Sequence, residues 1–210
     1  MLDIVYEDKY LIVVNKSAKL LTISNLKEKE NTLYHQVSLY LKKKNKNNKV
    51  FIVHRLDYDT SGLVIFAKSE KIKEQLQAIW HQVSRRYMAL ISGILPAREG
   101  LIESYLNETR TLMTYSRYDG VGKLAQTAYK VVKIVGKNTL VEIELKTGRK
   151  NQIRVHMKDI GHPIIGDLKY GNIKNKYMLL HAFLLEFDHP VTKQRISLQT
   201  KLPKYFKIIA

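Results

Sequence analysis

The segment HRLDYDTSG, residues 54–62, sets His54, Arg55, Asp57, Asp59, Thr60 and Ser61 between two apolar runs, VFIV before it and LVIFA after it. Several chemistries are open to such a set. His54, Asp57 and Asp59 could hold a divalent metal, as a phosphodiesterase would need. Their i, i+3, i+5 spacing matches no standard helix-face site, however, and with no Cys in the chain the zinc option narrows further. Thr60 or Ser61 could be a nucleophile, but that needs a His base oriented by an acid, and the signature of a nucleophile elbow is absent. The plainest account is a polar turn in which the Asp, Thr and Ser side chains bond nearby backbone groups. Composition by itself favours that turn.

The rest of the chain narrows what the segment is for. It has 210 residues, 45% of them apolar, enough for an ordinary packed core, and 36 basic against 19 acidic residues give a formal charge of +17. An excess this large points to a polyanionic partner, nucleic acid first and an anionic membrane surface second. The lack of Cys removes disulfides, thiolate nucleophiles and thiolate metal sites, so catalysis would use oxygen or nitrogen groups. The opening MLDIVYEDKY carries acids and no apolar signal core, and no run nears the roughly 18 apolar residues that span a bilayer. Even MLLHAFLLEF is short and is broken by His181 and Glu186. A cytoplasmic protein without membrane contact is expected.

The elements that must position these groups follow from periodicity. Residues 2–16 read as two short strands around EDK, rich in β-branched side chains. Leu33, Val37, Tyr40 and Leu41 recur at helical spacing behind a cap at Asn31. The helix leads into a basic loop, KKKNKNNK at 42–49, compatible both with a solvated tract and with phosphate contact. Val50–Val53 and Leu63–Ala67 read as strands on either side of the charged segment. Ser69 caps a helix whose stripe of Ile72, Leu76, Ile79, Trp80 and Val83 puts Trp80 in the core rather than on a stacking platform. RRYMALISGIL is a further strand, and residues 126–146 form a hairpin turning at GKN. Thr147 is then the expected N-cap of a helix with Ile153, His156, Met157 and Ile160 at helical spacing, stopping at Gly161. The tail reads as two strands around DHPVTK. With no repeat, low-complexity tract or linker, the prediction is one α+β domain over residues 1–210, its sheet mixed but mostly antiparallel and flanked by helices and loops.

Taken whole, HRLDYDTSGLVIFAKS resembles the HRLDxxTSGLLLFAK motif of the RluA-like pseudouridine synthases, in which the Asp is the essential catalytic residue. The similarity extends along nearly the entire chain. IVYEDKYLIVVNK is similar to the family's opening strands, and Arg85, Arg86 and Tyr87 with the strand to Gly93 resemble its (K/R)xYxAxVxG segment. GKLAQTAYKVV looks like GKxAxTxYxV, and TGRKNQIRVHMKDIGHPIIGDLKYG like TGRxHQIRxHxxxxGHPIxGDxxYG; LLHAFLLEFDHP and LPKYF follow the expected ending. Two departures touch specificity and local geometry. NKSAKLLTIS stands where the family has NKPxGxxxH, and Asn151 stands where its TGRxHQIR block has His.

The resemblance implies that Asp57 is the catalytic carboxylate, Tyr87 the active-site tyrosine that stacks on the target base, and Arg154 the basic partner of Asp57. It also implies that Arg55 reaches toward the space left by the extruded nucleotide, with His54, Thr60, Arg149 and Gln152 as further substrate contacts. Without it, Tyr87 would be an ordinary packed strand residue and Arg154 a solvent-facing helix position beside Lys150 and Lys158. The pairing makes physical sense, because a carboxylate in an enclosed pocket drifts toward its neutral form and a nearby guanidinium restores ionisation.

The implied reaction turns uridine in RNA into pseudouridine. It is redox-neutral and adds no group, so neither a cofactor nor a metal is expected. Because the target atoms are hidden in folded RNA, the uridine would be flipped into the pocket, with stacking and phosphate contacts offsetting the lost base stacking. The expected partner is ribosomal or transfer RNA, and the expected state a monomer. Many family members carry a small RNA-binding domain before the catalytic one. Here the first strand begins at residue 2, so none is expected, and target choice would fall to loops such as 42–49 and 107–123. The alternative is a non-catalytic RNA-binding or RNA-remodelling module on the same scaffold, which would have no need of Asp57.

Overall fold

The computed structural model describes residues 2–26 and 28–209 and is α+β in class, as expected. The chain forms two compact units, Met1–Val83 with Ala182–Lys201, and Ser84–His181 with Leu202–Ala210.

In the first unit, β2 (Leu11–Lys16) pairs antiparallel with β1 (Ile4–Glu7) on one side and with β4 (Ser61–Ala67) on the other. The two-residue strand β3 (Phe51–Ile52) pairs with the end of β4, and β10 (Leu180–Asp188), which begins in the second unit, pairs with β11 (Arg195–Gln199). LIVVNK and SGLVIFA are buried almost throughout, which is why they read as unbroken runs rather than as alternations. Leu11, Val13, Leu63 and Ile65 share one core cluster with Leu76 of α2 (Glu70–Ala78) and Phe187 of β10. Where the charged segment enters β4, Gly62 takes φ +121, and a Cβ there would stand 2.2 Å from the Ala182 carbonyl oxygen. Only glycine fits such a close approach.

Two details of this unit differ from the sequence reading. Helix α1 (Leu33–Lys44) is capped by Thr32, whose hydroxyl accepts from the His35 amide, not by Asn31. Its last turn also takes in Lys42, Lys43 and Lys44, so the basic loop is shorter than expected, and Lys44 Nζ bonds Glu7 at 2.9 Å. Helical hydrogen bonding continues through lysine as readily as through most residues, and charge alone does not end a helix. Ser69 caps α2 as expected, with its hydroxyl accepting from Ile72 N. Trp80 packs against the core cluster from a short 3₁₀ turn.

The second unit is an antiparallel sheet in the order β5 (Ser84–Ser92), β9 (Asn138–Leu145), β8 (Lys123–Val135), β6 (Glu99–Glu108) and β7 (Thr114–Arg117). Leu90, Leu140, Ile165, Leu179 and Phe206 form one of its cores, and Leu106, Ala125 and Val155 another with Tyr170 packed against it. The hairpin turn at Gly136 is as expected, whereas β7 occupies part of the stretch read as a loop over 107–123. TYSR carries no apolar run, and its extended form is fixed by pairing with β6. Helix α3 (Gln152–Asp159) begins five residues beyond Thr147 and ends before Gly161. Thr147 does not cap it. Its hydroxyl donates to Gln152 Oε1 at 2.8 Å and accepts from Gln126 N at 2.9 Å, so it ties the loop before the helix to β8.

Candidate active site

The residues singled out in the sequence divide between the units. His54, Arg55, Asp57 and Thr60 lie in the first, Tyr87, Arg149, Gln152 and Arg154 in the second.

Within the first unit the segment 54–60 is irregular backbone, yet almost every residue of it is tied down. His54 Nε2 accepts the Ile65 amide at 3.1 Å, which fixes the ring as the Nδ1–H tautomer, and its centroid lies 4.5 Å from that of the Trp80 ring at a tilt of 32°. Thr22, 2% exposed, uses one hydroxyl twice, donating to the Leu56 carbonyl at 2.7 Å and accepting from the Leu56 amide at 3.2 Å. Thr60 N donates to the Asp57 carbonyl at 3.2 Å and closes a turn over Tyr58 and Asp59. The Tyr58 carbonyl accepts from Lys16 Nζ at 3.2 Å. Asp57 therefore stands at the head of a turn, half-buried, between anchored neighbours on both sides. Arg55 and Tyr58 project outward as exposed residues, while Leu56 and Thr60 are buried. Among the described residues no three His, Asp or Glu side chains converge into a metal-holding set.

The divergent NKSAKLLTIS segment preserves a tight turn by a costlier route. Lys19 takes φ +61 at the position where the family pattern carries glycine, a left-handed conformation that crowds any Cβ. Ser17 and Leu20 on either side both offer their carbonyls to Lys16 Nζ.

In the second unit Tyr87 sits mid-strand in β5 opposite Ile143 and is 8% exposed. Two residues earlier Arg85 is buried as well, its Nη2 donating to the Leu145 carbonyl at 3.2 Å. Burial pulls the Arg85 guanidinium below its usual value, and Tyr87 acts in the opposite sense. Sequence reasoning placed Arg85 in a family segment without giving it a role. Its burial follows from strand alternation, which sends residues 85, 87 and 89 to the same side of β5.

Arg154 is 7% exposed on α3 and is not the solvent-facing position that helical spacing alone suggests. Its Nε and Nη2 donate to the two carboxylate oxygens of Asp167 at 2.7 and 2.8 Å, and Nη1 donates to Asn151 Oδ1 at 3.2 Å. Burial pushes Asp167 up. The Arg154 bonds and charge, with the Tyr170 and Lys169 amides, outweigh it and hold the carboxyl below the usual range. Asn151 closes the network through Nδ2 to Tyr170 OH at 3.1 Å. It occupies the helix N-cap position at φ 53, which Asn tolerates better than most residues. The departure from His at this position thus supplies a direct support for Arg154.

Gln152 is 2% exposed, and its amide is fully engaged inside the protein. Oε1 accepts from Thr147 and the Arg149 amide, and Nε2 donates to the Gln126 carbonyl and Thr127 Oγ1. Two acceptor and two donor bonds exhaust a carboxamide. Arg149 is exposed, donates Nε to the Leu124 carbonyl at 2.9 Å, and lines a groove of about 610 Å³ with Lys123, Lys150, Asn107 and Glu108.

These features can be set against known proteins. A family model described as RNA pseudouridylate synthase matches residues 10–159. The ribosomal large subunit pseudouridine synthase D of Zymomonas mobilis is 32% identical over 99% of this chain and 71% of its own length. The tRNA pseudouridine synthase C of Haemophilus ducreyi is 31% identical over 99% of this chain and 94% of its own. The solved structure of human RNA pseudouridylate synthase domain containing 4 superposes with a TM-score of 0.82 at 24% identity, covering 98% of this chain and 90% of that one, and has the same fold. A fold of this type carrying an HRLDxxTSG segment and a TGRxxQIR helix start marks an RNA-modifying isomerase. The chain belongs to the RNA pseudouridylate synthase family, whose activity is the formation of pseudouridine in RNA.

Proposed function

We propose that Asp57 is the catalytic carboxylate, that Tyr87 stacks on the flipped uracil, and that Arg154 is the basic partner of Asp57. The observation that carries the reading is the anchoring of segment 54–60. Irregular backbone bonded on both sides of one half-buried Asp is what a carboxylate needs in order to meet a reacting atom at fixed geometry. In the reaction the N1–C1′ bond breaks, the uracil turns, a C5–C1′ bond forms, the C5 proton leaves and N1 gains one. No electron acceptor is required. Arg55, exposed at the edge of the segment, reaches toward the vacated stack, with His54 and Thr60 shaping the surface beneath it.

Arg149 contacts backbone phosphate from its groove, and Gln152 serves as a strut of the loop that carries it, since its amide has no bonding capacity left. With a net charge of +17 the surface suits folded RNA, and the names of the relatives make ribosomal or transfer RNA the substrate class. The protein works as a monomer in the cytoplasm, where both RNAs are found; size-exclusion chromatography with light scattering tests the first point and fractionation the second.

The test of the site is release of tritium from RNA labelled at uridine C5. Asp57→Asn should lower release by about 10³-fold or more while RNA affinity stays within about threefold. Tritium release at the native rate by that variant rules Asp57 out.

A further inference from the structure

Lys16 ends a strand whose first four residues are core, and it is itself 1% exposed. Its backbone lies opposite Gly62, where the chain leaving the Asp57 segment re-enters the sheet. The ammonium meets three backbone carbonyls, those of Leu20 at 2.8 Å, Ser17 at 3.0 Å and Tyr58 at 3.2 Å. Two belong to the turn after β2, and the third to the residue that follows Asp57. The charged groups whose field acts on it are Asp57 and Asp59.

A lysine confined this way is costly to the fold and needs a reason. Burial pulls its amine down to about 7, while Asp57 and Asp59 pull the other way. The carbonyls favour the ammonium as well. It has three N–H groups for three acceptors, whereas a neutral amine fills two and turns a lone pair toward the third. A methionine would fill the same space without any of this, so packing does not explain the choice.

We propose that Lys16 is a positioning residue for pseudouridine formation, its ammonium pinning the Asp57 turn from inside the first unit through the Tyr58 carbonyl. The assignment rests on the reading of Asp57 as the catalytic carboxylate. A turn pinned from beneath by an ammonium keeps that carboxylate oriented as water is expelled, at no reorganisation cost during the reaction. Lys16 touches no substrate, so its loss slows the chemical step rather than binding.

The chain has no Cys, so Lys16→Cys introduces a single thiol that can be alkylated in the unfolded protein before refolding. Aminoethylation rebuilds a lysine-shaped ammonium, and propylation gives the same shape without the charge. Refolding is checked by melting temperature and circular dichroism. In single-turnover tritium release, the aminoethyl form should recover to within about threefold of the native rate, and the propyl form should stay about tenfold or more slower with RNA affinity unchanged. Equal rates for the two forms, whether high or low, overturn the role of the charge. Lys16→Met, expressed directly, makes the comparison without refolding, and full turnover by it overturns the proposal too. Asp57→Asn is run alongside. If it is inactive while the propyl form is fully active, the Lys16 assignment alone fails; if it retains turnover, the reading of Asp57 fails first.

Discussion

Around Asp57 the main chain is held at several points. The Leu56 amide and carbonyl, the Asp57 carbonyl and the Tyr58 carbonyl are each bonded, by Thr22, Thr60 and Lys16. Around Arg154 the fixed points are the guanidinium nitrogens themselves, three of them held by Asp167 and Asn151. The first arrangement sets where a short side chain begins, which suits Asp because its carboxylate has little further freedom. The second restrains the far end of a long side chain, which suits Arg because anchoring its Cα would leave four torsions loose. A short carboxylate side chain can be aimed through the main chain, but a long cation has to be gripped by its head.

That contrast can be broken most directly at Asp167. Asp167→Asn leaves a buried guanidinium without its carboxylate and should cost about 3–5 kcal/mol of stability, read as a drop in the urea midpoint. A loss below about 1 kcal/mol would mean the head-group grip is unimportant. Thr22→Val strips two Leu56 backbone groups of their partner at once and should cost about 2–3 kcal/mol, with slower tritium release because the Asp57 turn loosens. Thr22→Ser keeps the hydroxyl and should restore most of both, and a serine variant as impaired as the valine one would place the effect in packing.

Acid should act on the second unit's buried network. His156 sits between Ser104 and Thr127, each 2.9 Å away, and burial depresses its pKa to about 4, partly opposed by Asp159. Because the folded value lies below the unfolded one, the unfolded chain takes up the proton first. The stabilisation is complete above about pH 6.5 and declines as pH falls toward about 4, amounting to about 2 kcal/mol by pH 5. Denaturation midpoints between pH 7 and 5 check this, and His156→Gln should flatten the slope. The smallest effect has the opposite sign. Lys19→Gly relieves a left-handed backbone and should raise stability by about 0.5–1 kcal/mol, a gain of a few degrees in melting temperature, without changing turnover.

Much of the fold was legible in advance because its central strands are buried on both faces. LIVVNK and LVIFA declare themselves by composition, as do the hairpin around Gly136 and the strands around DHPVTK. The strand TYSR was not legible, since it is held by its partner and not by its own residues. Thr147 shows the same limit at a smaller scale: a Thr before a helical pattern is a sound cap by local rules, yet its hydroxyl is taken by Gln152 and the helix starts at residue 152. Among the proposed site residues and their supports, Asp57, Tyr87 and Arg154 were reachable through motifs, while Thr22, Lys16 and Asp167 were not singled out. Each of these three acts through a bond to a distant stretch of chain, Thr22 to Leu56, Lys16 to Tyr58 and Asp167 to Arg154.

The order of residues by itself therefore determined the class of fold, the polyanionic partner and the family of reaction, because periodicity, charge and motif spacing are local properties that survive without coordinates. Tertiary structure decided which polar groups are spent on holding others. Gln152 has no bonding capacity left to offer a substrate, Asn151 supports an arginine, and a lysine is sealed beneath the Asp57 turn. Hydrogen-bond capacity is finite, and where it is consumed depends on which distant segments the core brings within about 3 Å.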